Sequence, residues 1–222
     1  KKGISKASKK MERTAAEGLI CINENNNEFS MIEISTETDF VAKNNEFINF
    51  VEEISQLSFL SSGQMKKLES LKMKNNKIVK DSLVDLIAKI GEKITLRRSS
   101  FIESKECINF SYTHSSIKKN LGKIGVLVSL SSQNDELGKQ MAMHIAACNP
   151  IALTEEDLPV DILEREKKVY SEQAKDSGKP NEIIENMVKG KLKKFVNEVT
   201  LVNQSFVVDP DHRIADVLKR SG

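Results

Sequence analysis

The spacing of apolar residues changes within one stretch, residues 31–50, and this change predicts a strand that leads into a helix. At its start, Ile32 and Ile34 alternate with less apolar neighbours, as in a β-strand with one buried face. After a polar turn at residues 35–39, apolar residues recur at helical spacing, at Phe40, Phe47, Phe50, Val51 and Ile54. We therefore predict a strand, a turn and then a helix that begins at Phe40 and extends to about Phe59.

The turn itself has the composition of a helix N-terminus. Thr36 is followed three residues later by Asp39, which is a capping-box pattern, and an acid in the first helical turn is favourable by about 0.3–1 kcal/mol. The same turn could also hold an acid and an aromatic, Asp39 and Phe40, in a fixed relation for a binding partner. From the local pattern alone, we interpret it as a helix cap followed by a core phenylalanine.

Similar patterns along the rest of the chain predict an α+β protein. An asparagine-rich turn at residues 23–28 separates two strand-like runs and predicts a β-hairpin. Gly91 directly follows an apolar helical stripe, as is typical of a helix C-cap. Besides the helix that starts at Phe40, the predicted helices are 1–19, 78–90, 136–148 and 212–220, and the predicted strands are 19–22, 29–34, 94–102, 107–113, 124–130 and 204–208.

Two further helical stripes flank a Gly–Pro turn at residues 177–180, within the range 157–199. Helices joined by such a short turn predict an antiparallel helical hairpin. Its apolar stripe is narrow, so we expect the hairpin to project from the body of the protein or to pack on a partner.

Composition excludes several classes of protein. The 34 basic and 32 acidic residues leave a net charge of +2, which argues against nucleic acid as the main partner. No apolar run approaches the roughly 20 residues that span a bilayer. The basic N-terminus is not followed by the apolar segment of a secretory signal, and since it lacks an initiator Met we expect a trimmed or partial chain. The three cysteines are far apart, which predicts neither disulfides nor a zinc site and favours a reducing compartment.

Enzyme signatures are missing from the sequence. There is no phosphate-binding GxxxxGK[ST] loop, no GxGxxG after a strand and no GxSxG elbow. The three histidines, His114, His144 and His212, fall in different predicted elements without an evident carboxylate or nucleophile partner. We interpret His144 first as an ordinary core or surface histidine. With no predicted catalytic residue, metal ligand or cofactor, the sequence favours a protein that works by binding.

Several segments, in order along nearly the whole chain, resemble the translation elongation factor Ts family, the nucleotide-exchange factors of elongation factor Tu (EF-Tu). The most specific is TETDFVAKNNEF at residues 36–47. The others are KKGISKASKKMERTAAEGL at 1–19, KIGEKITLRR at 89–98, GKIGVLVSL at 122–130, MAMHIAACNP at 141–150, SGKP at 177–180, MVKGKLKKF at 187–195 and QSFVVDP at 204–210.

The resemblance implies an α+β fold of two related subdomains, each with small antiparallel sheets packed with helices, plus a projecting, coiled-coil-like helical hairpin. The implied division places the N-terminal half of the core at 1–122 and its C-terminal half at 123–156 and 200–222. The hairpin is an insertion at 157–199 that resembles the family's dimerisation region. Members usually carry a further N-terminal docking domain, so we expect the chain to be the core of a longer protein.

The resemblance also implies a function. The factor would bind EF-Tu·GDP and promote GDP release by displacing groups around the magnesium and phosphate site, without being an enzyme and without a cofactor. Carried over by motif, the residues that bind EF-Tu are Thr38, Asp39, Phe40, Val41 and His144. Asp39 and Phe40 would push into the G domain, with Thr38 and Val41 shaping the turn. His144 would contact the third domain of EF-Tu.

The resemblance further allows a homodimer through the helical hairpin. From composition and resemblance together, we expect a bacterial cytoplasm, with an organelle matrix as the alternative, and no membrane or direct nucleic-acid partner. An alternative is an RNA- or ribosome-binding module without exchange activity, built on the basic residues of 1–13 and 189–194. An enzyme with an unrecognised site is a weaker alternative, because no set of residues converges on chemistry.

Overall fold

The first long hairpin of the protein forms where the asparagine-rich turn predicts it. The computed structural model describes residues 12–175, 178 and 180–221. Strands β1 (Glu17–Asn25) and β2 (Glu28–Thr36) pair antiparallel along their whole length. Asn26, in the turn between them, has a φ of 52°, a left-handed conformation that asparagine tolerates better than most residues.

The chain divides into two compact units, one that ends at Ala142 and one that starts at Met143. After the hairpin, the first unit contains helices α1 (Asp39–Ala42), α2 (Asn45–Leu60), α3 (Met65–Ser70) and α4 (Val79–Ile90), then strands β3 (Ile94–Glu103), β4 (Ile108–His114), β5 (Leu121–Gly122) and β6 (Ile124–Leu130). Helix α5 (Asp135–Cys148) contains the boundary between the units.

The main sheet has the strand order β3-β2-β1-β5, and all neighbouring strands in it are antiparallel. A second antiparallel pair is formed by β4 and β6. Four consecutive residues of β1, Leu19 to Ile22, are buried, which means that both faces of this strand are covered. On one of those faces, Ile20 lies so close to Gly125 of β6 that a Cβ on this glycine would meet it at 2.5 Å.

The core of the first unit lies between the main sheet and α2. Phe47, Val51 and Ile54 of α2 are fully buried in the same cluster as Ile32 and Ile34 of β2. Each such side chain contributes about 1.5–3 kcal/mol by leaving water. This packing fixes the position of the chain segment that connects β2 to α2.

The second unit contains the predicted helical pair, α6 (Val160–Lys175) and α7 (Asn181–Val199). The two helices contact each other, for example where Lys191 donates a hydrogen bond to the side chain of Gln173 at 3.1 Å. Beyond α7 come a short 3₁₀ helix (Leu201–Asn203), the small hairpin of β7 (Ser205–Phe206) and β8 (Asp209–Arg213), and α8 (Ile214–Arg220).

The predicted α+β class is confirmed, and Gly91 caps α4 with a φ of 88° as predicted. The helix predicted over 1–19 falls mostly outside the described residues. Where the two overlap it is wrong, because residues 12–16 are not helical and residues 17–19 belong to β1. The last helix begins at Ile214 rather than at residue 212, because pairing with β7 extends β8 as far as Arg213. The division into 1–122, 123–156 with 200–222, and 157–199 stays a prediction.

Within the described part of the chain, no helix combines the length and the apolar character needed to cross a membrane.

Two helical glycines provide a matched test of packing in this fold. A Cβ on Gly138 of α5 would lie 2.4 Å from Cδ2 of the buried Phe110, whereas a Cβ on Gly190 of α7 would meet nothing within 4 Å. We expect Gly190→Ala to raise the free energy of unfolding by about 0.5–1 kcal/mol, because alanine is the better helix former. Gly138→Ala should instead lower it by about 1–3 kcal/mol through overpacking. Urea unfolding of the two variants measures both effects, and equal stabilities would contradict the tight contact at Phe110.

Candidate protein-binding site

Phe40 is the most exposed large apolar residue in the described part of the chain. It is 80% exposed, although the next two residues are buried: Val41 is 8% exposed and Ala42 is 0% exposed. All three belong to α1, a single helical turn. A bulky aromatic ring therefore stands in solvent on a short element whose other side is anchored in the core.

The turn is capped by Thr38 and not, as predicted, by Thr36. Thr38 has extended backbone angles, and its hydroxyl accepts a hydrogen bond from the backbone N–H of Val41 at 3.5 Å. Thr36 is fully buried and donates its hydroxyl proton to the carbonyl oxygen of Thr38 at 2.8 Å. The capping-box interpretation fails because Thr36 is still the last residue of β2.

The helix predicted to start at Phe40 is in fact two helices. Asn44 interrupts it with extended backbone angles and caps α2, since its side-chain oxygen accepts from the backbone N–H groups of Glu46 at 2.8 Å and Phe47 at 3.3 Å. Phe40 is thereby removed from the apolar stripe of α2. Phe40 has the sequence spacing of the buried residues of α2, but because the helix is broken at Asn44 it can point into solvent.

Asp39 forms an ion pair on the exposed side of the same turn. Its carboxylate lies 2.7 Å from Nζ of Lys43, four residues later. The hydrogen bond from Lys43 holds the pKa of the Asp39 carboxyl below its usual value. The motif therefore presents an ionised carboxylate, paired with Lys43, beside an exposed aromatic ring.

Glu92 is a residue of this site that the sequence reasoning missed. Both its carboxylate oxygens accept from Thr38, one from the backbone N–H at 3.1 Å and one from the hydroxyl at 2.8 Å. Glu92 follows Gly91, so the sequence predicted only that it lies just beyond a helix end. Its contact with Thr38 spans 54 positions and has no local pattern.

His144 lies in α5, in the second unit, and it is fully buried. Its Nε2 lies 2.9 Å from Oε1 of Gln204, and its Nδ1 accepts from the backbone N–H of Val207 at 3.1 Å. Its ring also packs against Phe206, with 5.8 Å between ring centroids. The imidazole is therefore enclosed, while Val207 and Val208 beside it are 47% and 50% exposed.

Within the described residues, no group of three or more His, Cys, Asp or Glu side chains is arranged to hold a metal ion.

The comparisons with known proteins agree on one family. The family model described as elongation factor TS matches residues 37–222, a range that includes Thr38, Asp39, Phe40, Val41 and His144. The elongation factor Ts proteins of Ruegeria sp. (strain TM1040) and Paracoccus denitrificans are 45% and 44% identical to the chain, which is covered in full and spans 75% of each relative. That of Rhodospirillum rubrum is 44% identical and is spanned to 74%.

The chain belongs to the elongation factor Ts family. Membership confirms the resemblance that the sequence segments carry. It also gives the general role of the family, nucleotide exchange in translation elongation, in which the factor acts by binding and is not a catalyst in the strict sense. The partner in that role is, for the family, EF-Tu.

Two phenylalanines of the elongation factor Ts motif should differ sharply in their effect on stability. Phe40→Ala should change the free energy of unfolding by less than about 0.5 kcal/mol, because an 80% exposed ring has little packing to lose. Phe47→Ala should cost about 3–5 kcal/mol, because this ring is fully buried. Guanidinium unfolding followed by circular dichroism measures both values. A large loss in Phe40→Ala would mean that the ring is packed against the protein in solution.

Proposed function

We propose that this chain binds EF-Tu·GDP and promotes GDP release by inserting Phe40 into the G domain, where it displaces groups around the magnesium and phosphate site. The observation that carries the proposal is the 80% exposure of Phe40 on an anchored turn. Because Val41 and Ala42 are buried directly behind it, the turn can press the ring against a partner without giving way.

Insertion of the ring is favourable in free energy. Full burial of a phenylalanine side chain contributes roughly 1.5–3 kcal/mol. The turn is already ordered by its cap and its buried neighbours, so little conformational entropy remains to be lost on binding. This gain is available to offset the cost of moving groups that hold the nucleotide.

Asp39 would act beside the ring through its charge. The carboxylate is ionised at neutral pH, as an ordinary aspartate is, and the hydrogen bond from Lys43 lowers its pKa further. A carboxylate brought close to the phosphates of GDP repels them, and it also competes with them for the magnesium ion. Both effects weaken the binding of GDP and leave the guanine base untouched.

Exchange then follows from the coupling between two binding equilibria. If the factor binds nucleotide-free EF-Tu more tightly than EF-Tu·GDP, it must weaken the affinity of EF-Tu for GDP by the same ratio. Each tenfold increase in the release rate corresponds to about 1.4 kcal/mol removed from the dissociation barrier. Burial of a single phenylalanine ring can therefore account for an increase in the GDP release rate of roughly ten- to a hundredfold.

His144 would contribute to EF-Tu binding indirectly. The buried imidazole accepts from the N–H of Val207 and packs on Phe206, so it orders the backbone that exposes Val207 and Val208. Two adjacent exposed valines form a small apolar surface suited to a protein partner. We therefore assign the contact with the third domain of EF-Tu to these valines and a supporting role to His144.

The RNA-binding alternative gains no specific support from the described residues. Its first segment, 1–13, lies almost entirely outside them, and the side chain of Arg13 is hydrogen-bonded to Glu37. In its second segment, Lys191 donates to Gln173 and Lys194 lies 3.7 Å from Glu198. Homodimerisation through α6 and α7 stays a prediction.

The exposed ring should control the rate of GDP release. We expect Phe40→Ala to slow factor-stimulated release from EF-Tu by more than tenfold, which corresponds to a loss of at least about 1.4 kcal/mol in barrier lowering. Stopped-flow release of fluorescent GDP, with excess unlabelled nucleotide, measures it. Leu60→Ala is the matched control, since Leu60 is also apolar and 62% exposed but lies at the end of α2. A folded Phe40→Ala variant as active as Leu60→Ala would show that the ring is not the inserted group.

The supporting role of His144 predicts a different pattern of losses. His144→Ala leaves the N–H of Val207 and the side chain of Gln204 without their partner, so stability should fall by about 1–3 kcal/mol and EF-Tu binding should weaken. The double variant Val207→Ser/Val208→Ser should weaken binding on the order of tenfold while its stability changes by less than about 0.5 kcal/mol. Calorimetric titration of nucleotide-free EF-Tu with each variant measures the affinity, and thermal unfolding of each variant measures its stability. Undiminished binding by the double valine variant would rule out the indirect route.

A further inference from the structure

The exposed turn is held from outside by the segment that joins α4 to β3. Glu92, in that segment, is half-buried and accepts two hydrogen bonds from Thr38, at 3.1 Å from the backbone N–H and at 2.8 Å from the hydroxyl. A second contact joins the same two segments with the roles exchanged. Here the carboxylate belongs to Glu37, on the side of the turn, and it accepts from the backbone N–H of Lys93 at 2.5 Å. We call the two residue pairs, Glu92 with Thr38 and Glu37 with Lys93, the carboxylate clasp.

The clasp is suited to fix orientation as well as distance. A carboxylate that accepts from two donors of one residue restrains the rotation of that residue, and hydrogen bonds to an ionised acceptor are stronger than neutral ones. Thr38 is the N-cap of α1 and directly precedes Asp39 and Phe40. A restraint on Thr38 therefore also limits the movement of these two residues. The position of Glu92 is itself fixed, since it follows the left-handed cap Gly91 and precedes the buried Ile94.

Helix α1 has only four residues, which is too short for a helix that is stable by itself. An isolated helical turn is unstable because nucleation fixes several residues for a single hydrogen bond. The ring of Phe40 is 80% exposed and contributes little packing. Burial of Val41 and Ala42 anchors the turn on the side that follows Phe40, whereas the hydrogen bonds of Glu92 act on Thr38, on the side that precedes it.

We infer that Glu92 is a positioning residue for nucleotide exchange, which sets the direction of Phe40 through its two hydrogen bonds to Thr38. This inference rests on the proposed function of Phe40. Glu92 need not contact EF-Tu, and its effect should disappear once the ring that it orients is removed. That dependence distinguishes positioning from a general effect on stability.

The experiment measures the release of fluorescent GDP from EF-Tu over a range of factor concentrations. We expect Glu92→Ala to lower the maximal release rate about tenfold, while the half-saturating concentration changes much less because the remaining binding surface is intact. Glu92→Gln retains one acceptor oxygen and should lose about threefold. Asp85→Ala is the matched control, since Asp85 is an exposed carboxylate on α4 that pairs only at the surface with Lys77, and its rate should equal that of the native chain.

The decisive arm is the double variant Glu92→Ala/Phe40→Ala. If Glu92 acts by orienting Phe40, the double variant should release GDP at the rate of Phe40→Ala alone. Hydrogen exchange gives a second readout, since the amide of Thr38 should lose protection in Glu92→Ala and keep it in Asp85→Ala. If thermal unfolding shows that Glu92→Ala is not folded at the assay temperature, Glu92→Gln takes its place in every arm.

Two results would overturn the inference. One is a native release rate in folded Glu92→Ala, or in folded Glu92→Gln where that variant replaces it, although Phe40→Ala is slow. The other is a multiplicative loss in the double variant, which would show that the two residues act independently. A native rate in Phe40→Ala would instead remove the proposed function itself, so the two failures are distinguishable.

Discussion

The candidate site of the first unit depends on one physical constraint: a large apolar ring lies in solvent while the two residues that follow it are buried. Phe40 precedes Val41 and Ala42, and both of these are in the core. Hydrophobic burial alone would also draw the ring inward. Polar contacts lie on both sides of the ring: Glu92 accepts hydrogen bonds from Thr38 before it, and Asn44 caps α2 after it.

The sheet and α2 provide the rigid base for this arrangement. The strand β2 delivers the turn, and the burial of Phe47, Val51 and Ile54 fixes the helix that follows. The carboxylate clasp joins the turn to the segment directly before β3, the strand next to β2 in the sheet. For the proposed function such a base matters, because binding energy spent on deforming the factor is not available to weaken nucleotide binding.

The second unit uses the same physical device at His144. A buried polar side chain holds a backbone segment that exposes apolar residues, here Val207 and Val208. Gln204 completes the support, since its amide also donates to the carbonyl oxygen of Glu198 at 2.7 Å. In both units, partly buried hydrogen bonds hold backbone that lies next to exposed apolar side chains.

The sequence by itself determined the α+β class, the β1–β2 hairpin, the Gly91 cap and the family, because these depend on spacing, turn residues and segments that are read locally. It also selected Phe40 and Asp39, which the motif carries. Only the tertiary structure decided that Thr38 rather than Thr36 is the cap, that Phe40 is exposed, that His144 is enclosed and that Glu92 holds the turn. These outcomes depend on contacts between residues far apart in the chain, such as the 54 positions between Thr38 and Glu92, which leave no periodic signal in either segment.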